Sequence, residues 1–437
     1  MSTYYNRRQI MALGLGAGIS AFGLGACDTP TPSSPAGPIS LNMVFWGSAT
    51  RDKFTKQATE LFHQSHPTTT ITSQVNANFT DYWTKLNTLI ANGNTPDLIQ
   101  MDMRYVSQYV RKRTLLDLTS FIYNQTIDLT DFDPMLLDSS KVNNTIYGIP
   151  LGGNYQTYLY DKTALQLADI GPLPANMTWD IFKAYTTELT KALGNGTSGT
   201  ADLSGDITSF EVWIRQRGKE LYDQNGKVKF DLTDAGDWYN YWDGMRKANA
   251  CLPMSIQSKV DITGNPGDSS LTKKLVVFSS LYSNQLEAFQ AATTHQLAMT
   301  PPPIGSVPGM YLKTSMMLSI AETTKYPTEC ANFANFLIND AGAVKAIGIE
   351  RGVPGSVKAR ALLNPHLNET QQAIMTYINL VSESGLTRPK EVLDPPGAGT
   401  VATTLKTVSQ DIGLGRISVS GGAKELYTSA QKAVMSS

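Results

Sequence analysis

The segment Ile39-Ser40-Leu41-Asn42-Met43-Val44-Phe45-Trp46 decides the fold of this chain, because an alternation of strands and helices starts from it. The segment is mostly apolar, and Gly47-Ser48 closes it. A short apolar run that ends at a turn signal predicts a buried β-strand. From Thr50 the apolar residues recur at the spacing of one helix face, until His66-Pro67 stops the pattern. The segment therefore predicts a strand that leads directly into a helix.

The same alternation continues along the next part of the chain. A second strand is predicted at residues 69–74 and a third at residues 97–101, with a helix at residues 78–92 between them. Helices that alternate with strands favour an α/β layer built on a mostly parallel sheet. The predicted fold class is therefore α/β.

Further along the chain, strand and helix patterns alternate again. Pro and Gly punctuate a predicted strand at residues 148–153, and Tyr158-Leu159-Tyr160 belongs to another. Residues 179–193 predict a helix, and the Gly/Ser/Thr-rich residues 194–205 predict a loop. From residue 365 onward the chain is predicted to be mostly helical.

The N-terminal residues carry a separate signal. Arg7-Arg8 precede an uncharged apolar run at residues 10–25, which is too short to span a bilayer comfortably. A positive start, a short apolar run and small residues before a cut site are typical of a secretory signal peptide. Leu24-Gly25-Ala26-Cys27 looks like a bacterial lipobox, which predicts a lipid on Cys27. The Pro/Ser-rich residues 27–38 then predict an extended tether.

Residues 1–26 are thus predicted to be a lipoprotein signal peptide, and the alternative is a buried N-terminal helix with a chance cysteine. Asn6-Arg7-Arg8-Gln9-Ile10 resembles a twin-arginine export signal, so the secretory and twin-arginine routes both stay open. Either route predicts a protein outside the cytoplasm, lipid-anchored to the outer face of the cell membrane.

Charge and cysteine content narrow the possible partners. Removal of residues 1–26 takes away Arg7 and Arg8 and leaves 34 Lys+Arg against 37 Asp+Glu, a net charge of −3. This balance does not indicate a nucleic-acid partner. No later stretch reaches the length and apolarity of a membrane helix, so the lipid is the predicted anchor. Cys251 and Cys330 could form a disulfide outside the cytoplasm, but the sequence favours two separate buried thiols.

Sequence signatures of catalysis are largely absent. No H-E-x-x-H, G-x-S-x-G or phosphate-loop motif occurs, so we expect no metal and no cofactor. A glycosidase would need two carboxylates at a fixed separation, which a sequence alone does not exclude.

Aromatic and polar residues stand together where predicted strands end. Trp46 ends the first strand, Asp102 follows the third, and Tyr282-Ser283-Asn284-Gln285 follows a strand that begins at residue 275. Ligands of open α/β sheets gather at the carboxyl ends of strands. Aromatic rings stack on the apolar faces of sugars, and polar side chains bind their hydroxyl groups. The pattern favours a sugar site, although a single ring at a strand end is more often part of the core. Four other tryptophans are assigned to the core by their register, namely Trp83, Trp179, Trp238 and Trp242.

Several segments, with the lipobox, occur together in the order found in one family. They are Asn42-Met43-Val44-Phe45-Trp46-Gly47, Gly93-Asn94-Thr95-Pro96-Asp97, Tyr147-Gly148-Ile149-Pro150, Tyr158-Leu159-Tyr160-Asp161-Lys162, Thr178-Trp179-Asp180 and Arg351-Gly352-Val353-Pro354. As a set they resemble the extracellular solute-binding proteins of ABC sugar importers, the class that includes maltose-binding protein. The resemblance implies a periplasmic-binding-protein-like fold whose two lobes, joined by crossover strands, close on a sugar. It also implies an ABC permease as partner, and we expect a monomer.

The resemblance further implies ligand contacts at positions that line the cleft or its crossings in the family. These positions are Trp46, Ser48, Arg51, Asp102, Asn154, Tyr155, Trp213, Tyr282, Asn284, Tyr311, Lys313 and Arg351. Asn154 departs from maltose-binding proteins, which carry an acidic residue there, so maltose itself is in doubt. Tyr282 stands where related proteins often have Trp, which leaves a smaller stacking platform.

The expected lobe boundaries follow from the Pro/Gly stretches at residues 148–153 and 301–303 and from the turn at residues 351–354. One lobe would hold residues 39–151 plus 303–350, and the other would hold residues 152–302 plus 351–437. Gly152-Gly153 would act as a hinge, or would merely permit close packing. The expected function is capture of an oligosaccharide for import, without chemistry. The alternatives are a secreted carbohydrate-active enzyme and a binder of another solute, such as a peptide or polyol.

Overall fold

The described part of the chain, in a computed structural model, comprises residues 37–138, 140–261, 265–390, 392 and 394–435. The predicted signal peptide, Cys27 and the tether as far as residue 36 lie outside the described residues. Eleven strands run in chain order: β1 Ile39–Trp46, β2 Thr69–Asn76, β3 Leu98–Met101, β4 Lys141–Val142, β5 Thr145–Ile146, β6 Ile149–Asn154, β7 Gln156–Asp161, β8 Ser198–Thr200, β9 Val276–Tyr282, β10 Leu297–Thr300 and β11 Lys313–Ile320, all within those ranges.

Helices connect and cover these strands. In the described ranges they are α1 Ala49–Ser65, α2 Phe79–Ala91, α3 Met103–Arg111, α4 Thr119–Tyr123, α5 Pro134–Asp138, α6 Lys162–Ala168, α7 Trp179–Leu193, α8 Ile207–Arg215, α9 Leu232–Lys247, α10 Met254–Gln257, α11 Leu286–Ala291, α12 Pro327–Asn339, α13 Ala341–Ile347, α14 Val357–Leu363, α15 Glu369–Glu383, α16 Ala398–Gly413 and α17 Val419–Met435. The alternating N-terminal part and the helical C-terminal part are as predicted, which confirms the α/β class.

The strands form two main sheets. The first has the order β2-β1-β3-β11-β6 and the second the order β10-β7-β9-β8. β1 pairs in parallel with β2 and β3, whereas β11 is antiparallel to both β3 and β6. In the second sheet, β7 is antiparallel to β9 and β10. The prediction of a mostly parallel sheet is therefore wrong for β11 and for most of the second sheet. β7 and β11 each follow a crossing between the sheets and are antiparallel to both of their neighbours. Local periodicity does not encode the direction in which such a strand pairs.

β1 shows why the first sheet forms at this segment. Leu41, Met43 and Phe45 alternate along the strand and join one apolar cluster, while Val44 joins a second cluster that contains Tyr82. Both faces of the strand are thus covered by apolar side chains, as expected of the centre of an α/β sheet. At the end of β1, the side chain of Ser48 accepts a hydrogen bond from Arg51 N (3.2 Å) and caps α1.

One strand lies where the sequence predicts a loop. Ser198–Thr200 is buried and pairs in parallel with β9, placing Thr200 beside Phe278. Ser, Gly and Thr carry no apolar alternation, and the strand depends on a partner that is distant in sequence. The prediction of a continuous loop at residues 194–205 is therefore wrong.

The chain passes between the two sheets at three places. β6 ends at Asn154 and β7 begins at Gln156, so only Tyr155 separates the sheets there. The second passage lies between β10 and β11. The third follows α14, because α14 packs against α13, whereas α15 packs against α11 and β10. This packing puts the third passage after Leu363, further along the chain than the predicted turn at residues 351–354.

Three segments lie side by side at the end of β6, where the chain leaves the first sheet. Gly153 N donates to Val353 O (2.8 Å), and Val353 N donates back to Gly153 O (3.1 Å). Ser315 Oγ lies within hydrogen-bond distance of the carbonyl oxygens of Gly152 (2.8 Å) and Arg351. A Cβ on Gly152 would lie 2.6 Å from Arg351 O, so only glycine permits this approach of two backbones. We call residues 152–153, 315 and 351–353 the crossover junction.

Gly152→Ala is expected to destabilise the protein by about 1–3 kcal/mol, because the added methyl group overlaps the backbone of residues 351–352. Gly236→Ala is the matched control, since Gly236 lies in α9 and a Cβ there meets nothing within 4 Å. The control should gain up to about 1 kcal/mol from helix propensity. Urea denaturation of both variants checks the prediction, and equal midpoints would contradict the tight junction.

Candidate functional site

The carboxyl end of the first sheet collects several of the predicted site residues. β6 runs in the same direction as β1 and β3, because β11 is antiparallel to both β3 and β6. Trp46 and Asn154 therefore end their strands at the same edge, and Asp102 follows β3 there. Lys313, the first residue of β11, is paired with Asn154. This edge is where an open α/β sheet places its ligand.

The second sheet turns its own carboxyl edge toward the same place. Tyr282, the last residue of β9, pairs with Gln156, which follows Asn154 by two positions. β8 is parallel to β9, so its carboxyl end lies at the same edge. Lys313 Nζ donates to Tyr282 Oη (3.3 Å) and lies 4.5 Å from the centroid of that ring. The carboxyl edges of the two sheets thus meet, and Lys313 and Tyr282 join them.

Asn154 and Asn284 come from different sheets at this meeting point, Asn154 at the end of β6 and Asn284 after β9. Asn154 is 5% exposed, and its Oδ1 has no hydrogen-bond partner among the described protein atoms. A buried acceptor without a partner costs free energy, which a donor from a ligand would recover. Asn284 follows Tyr282 and is exposed. Asn284 is therefore exposed at the edge, whereas Asn154 Oδ1 is buried there without a protein partner.

Trp46 belongs to a cluster of aromatic rings. Its centroid lies 5.1 Å from that of Phe79, 5.3 Å from that of Tyr82 and 5.8 Å from that of Trp83. Trp83 is buried, as predicted, and stacks on Tyr105 at 4.1 Å. Trp46 is half-buried, so its ring both supports the core and reaches the surface of the edge.

Ser48 and Arg51 have structural partners next to Trp46. Ser48 is exposed and caps α1 through its side chain. Arg51 Nε donates to Glu350 Oε2 (2.7 Å), and Arg51 Nη1 donates to Trp46 O (2.9 Å). The guanidinium group therefore holds the end of β1 against the segment that follows α13.

Arg351 lies in the interior rather than at the edge. It is 2% exposed, donates to Thr55 Oγ1 (2.6 Å) and Gln100 Oε1, and lies over the ring of Phe45. Burial, with the nearby charge of Arg51, lowers the pKa of Arg351 to about 9. A side chain with this burial and these partners does not face a ligand, so we no longer assign Arg351 to the site.

Tyr155 and Tyr311 are also enclosed by protein. Tyr155 is 1% exposed, and its Oη lies 3.3 Å from Ser382 Oγ. Tyr311 Oη donates to Glu211 Oε2 (3.0 Å), while the charged groups of Arg215 and Lys390 lie over its ring. Burial raises the pKa of both phenols. These contacts leave neither ring free to stack on a sugar, so both are removed from the candidate site.

Trp213 belongs to the core of the second part of the molecule. It is 5% exposed and makes edge contacts with Trp179 and Trp238, and the guanidinium of Arg217 covers its ring at 3.6 Å. The core assignment of Trp179, Trp238 and Trp242 is confirmed by their burial. The expectation of an aromatic platform at Trp213 fails because the ring is packed on all sides.

A cavity of about 490 Å³ opens at the carboxyl ends of β8 and β9. Its wall comes from the segment that follows β8, from the end of β9, from the segment that follows α10 and from one face of α16. Neither Trp46 nor Tyr282 is among the residues that line it. The cavity is large enough for sugar units, since ligand pockets of about 300–1,000 Å³ are usual for small molecules.

Hydrogen bonds fix the polar wall of this cavity. Asp206 caps α8 and accepts from Thr208 N (3.3 Å) and Ser209 N (3.1 Å). Asp202 forms an ion pair with Arg246 (2.6 Å), and Asp261 accepts from Ser270 N (2.9 Å). Sequence analysis missed these three carboxylates. For Asp206 the available signal was its position as a helix cap directly before residues 207–214, in which apolar residues recur at helical spacing.

Family comparison adds an independent observation to this geometry. The family of bacterial extracellular solute-binding proteins matches residues 51–371 of the chain. The chain belongs to this family. It is therefore an extracytoplasmic solute-binding protein of the ABC type, as the sequence resemblance implies.

Solved structures of solute-binding proteins share the fold. A family 1 extracellular solute-binding protein from Alicyclobacillus acidocaldarius is 27% identical, with a TM-score of 0.78 over 92% of this chain and 100% of that one. An oligogalacturonide-binding protein from Yersinia enterocolitica is 21% identical, with a TM-score of 0.77 over 91% and 99%. The GacH receptor of Streptomyces glaucescens is 15% identical, with a TM-score of 0.68 over 91% and 99%.

The described chain of this solute-binding protein carries no cluster of His, Cys, Asp and Glu that could hold a metal ion. Cys251 and Cys330 are both buried and unpaired, which agrees with the expectation of two separate thiols. Burial raises the pKa of Cys330 to about 12 and also raises the pKa of Cys251. In the same part of the chain, no helix has both the length and the apolarity that a membrane span requires.

Trp213→Ala is expected to lower the free energy of unfolding by about 3–5 kcal/mol, because it removes a large buried ring. Tyr123→Ala is the control, since Tyr123 is 90% exposed and its loss should change stability by less than about 0.5 kcal/mol. Chemical denaturation followed by circular dichroism measures both. A Trp213→Ala protein with unchanged stability would restore the platform interpretation of this ring.

Proposed function

We propose that this solute-binding protein captures an oligosaccharide and delivers it to the permease of an ABC importer. The two sheets with their helices would form two lobes, with residues 39–151 plus 303–350 in one and residues 152–302 plus 351–437 in the other. The packing of α14 against α13 supports moving residues 351–363 into the first lobe, so that the second lobe would resume after Leu363. The ligand would bind where the two carboxyl edges meet, and closure would occur about the crossover junction.

One observation carries the proposal, namely that the carboxyl edges of both sheets meet next to a cavity whose wall combines apolar side chains with carboxylate, hydroxyl and amide groups. Tyr282 and Trp46 provide rings at the two edges, and Asn154 provides a buried acceptor without a protein partner. Asp102, Asn284 and Lys313 lie at the same edges. Rings with hydroxyl, amide and charged neighbours match the alternating apolar faces and hydroxyl rims of sugars.

The solved neighbours support the same ligand class. The Yersinia enterocolitica protein has been solved with saturated digalacturonic acid, and the Streptomyces glaucescens receptor with acarbose. Both neighbours share the fold of this chain over nearly its whole length. Carbohydrate is therefore the first ligand class to test here.

A carbohydrate-active enzyme is the second candidate, because three aspartates line the cavity. The geometry favours binding over catalysis, since each of these carboxylates accepts hydrogen bonds from a protein group. Incubation with a panel of oligosaccharides separates the two functions. Unchanged sugar with a raised melting temperature supports the binder, and new hydrolysis products support the enzyme. If only peptides or polyols raised the melting temperature, the ligand would be such a solute and not a sugar.

We also propose that a lipid on Cys27 anchors the protein to the outer face of the cell membrane. There it would work as a monomer beside the permease. Cys27→Ser is expected to release the protein from the membrane fraction, because serine lacks the thiol that would carry the lipid. Cell fractionation followed by immunoblotting measures this change. A variant that stays with the membrane would contradict the lipid anchor.

Tyr282→Ala is expected to weaken oligosaccharide binding by about 2 kcal/mol with little change in stability, because the half-buried ring is at the edge. Trp46→Ala should lower both affinity and stability, since its ring also packs on Phe79, Tyr82 and Trp83. Calorimetric affinity and melting temperature are measured on the same samples, with Tyr123→Ala as the control. Unchanged affinity in both edge variants would remove the two rings from the site.

A further inference from the structure

The ionisable side chains of the cavity at β8 and β9 are mostly acidic. Asp202, Asp206 and Asp261 line it, and Lys406 is the basic residue among the described residues that form its wall. Arg246 neutralises the charge of Asp202, because its Nε donates to Asp202 Oδ2 (2.6 Å) and its Nη2 donates to Asp202 Oδ1 (3.2 Å). The excess charge on the wall is therefore negative. A negative wall raises the free energy of a carboxylate brought into the cavity.

The N-terminus of α8 would be the natural place for an anion in this cavity. Free backbone N–H groups and the helix dipole attract negative charge at such an end. Here the carboxylate of Asp206 already accepts from Thr208 N and Ser209 N, and also from Ser209 Oγ (2.7 Å). An anionic ligand group thus finds this position occupied by a protein carboxylate.

The other polar groups that the described residues bring to the wall are uncharged. They are hydroxyl and amide groups, which can both donate and accept hydrogen bonds, and they include Asn265, Ser279, Ser280 and Gln285. Gln257 also lines the cavity, but its amide already bonds Asp202 N and Asp261 Oδ2. Ser280 Oγ accepts from Gln156 Nε2 (2.9 Å), which fixes the hydroxyl at the end of β9. A sugar hydroxyl needs a donor and an acceptor together, whereas a carboxylate needs donors alone. The wall therefore matches hydroxyl groups better than carboxylates.

We infer that this cavity binds an uncharged sugar unit and discriminates against uronic acids. The inference rests on the proposed function and narrows its ligand to neutral oligosaccharides. It separates this chain from the Yersinia enterocolitica neighbour that was solved with digalacturonic acid, although the two share a fold. The cavity thus distinguishes sugars by the charge at C6.

The first test compares neutral sugars with their uronates. Maltotriose, cellotriose and galactotriose are each titrated calorimetrically beside the same trisaccharide with its C6 hydroxymethyl groups oxidised to carboxylates. For each pair that binds, the neutral member should bind at least about tenfold more tightly, since the uronate finds negative charge in place of donors. Equal or tighter binding of a uronate would overturn the inference and leave the oligosaccharide function standing. No binding by any pair would overturn the proposed function and the inference with it.

A charge variant tests whether the cavity itself makes the distinction. Thr403 lies on α16 and lines the cavity, so Thr403→Arg adds a carboxylate receptor to the wall. This variant should bind the uronates at least about tenfold more tightly than the unmodified protein does. Thr407→Arg carries the same added charge on an exposed residue of α16 outside the cavity wall, and it should leave the ratio between neutral and uronate affinities unchanged.

Comparison of the two variants shows whether the cavity is where neutral sugars are distinguished from uronates. A gain for uronates in Thr403→Arg alone supports selection in the cavity. An equal gain in both variants, or no gain in either, would overturn the assignment of charge selection to this cavity. Melting temperatures of both variants are measured in parallel, and Thr403→Ala, which keeps the charge of the natural protein, controls for loss of the threonine.

Discussion

The arrangement of this molecule depends on the close backbone contact at the crossover junction. Gly152 lies against the carbonyl groups of residues 351–352, and Gly153 exchanges two hydrogen bonds with Val353. Ser315, from β11, joins the same two segments. These bonds hold the end of β6 at a fixed position, and β7 starts the second sheet two residues beyond β6. The point at which the chain leaves the first sheet is therefore held by a few backbone groups that only glycine can bring together.

The position of the site follows from this geometry. Because β6 ends where β7 and β9 meet, the carboxyl edges of both sheets turn toward one place. The aromatic edge of the first sheet, around Trp46, and the hydroxyl and amide groups in the cavity of the second sheet then provide different chemistry. The rings are suited to apolar sugar faces, and the hydroxyl and amide groups are suited to sugar hydroxyls. This combination of rings and hydrogen-bonding groups is consistent with membership of a solute-binding family, because binding a solute needs a complementary surface but no reactive group.

Local signals allowed much of this to be predicted from the sequence. β1 and α7 have the predicted bounds, because an apolar run closed by Gly-Ser and a threonine cap at Thr178 are local features. Trp46, Asp102 and Tyr282 could be placed at strand ends for the same reason, whereas Asn154 was expected at the cleft from the family resemblance.

The rest depends on contacts between distant segments. β8 becomes a strand only through its pairing with β9. The cavity wall combines residues as far apart as Asp202 and Lys406. For Trp213 and Arg351, the position in the chain did not reveal that packing turns the side chain inward, away from any ligand.

The insertion of β11 between β3 and β6 also has a consequence for how the chain folds. The first sheet begins with residue 39, but its fourth strand in spatial order comes from Lys313–Ile320. Until that segment has been synthesised, β3 and β6 each have an unpaired edge. Contacts between such distant segments slow folding, and exposed edges favour aggregation in the meantime. We expect the nascent chain to stay incompletely folded until residue 320 has emerged, so chaperones that bind extended segments have a long period in which to act on it.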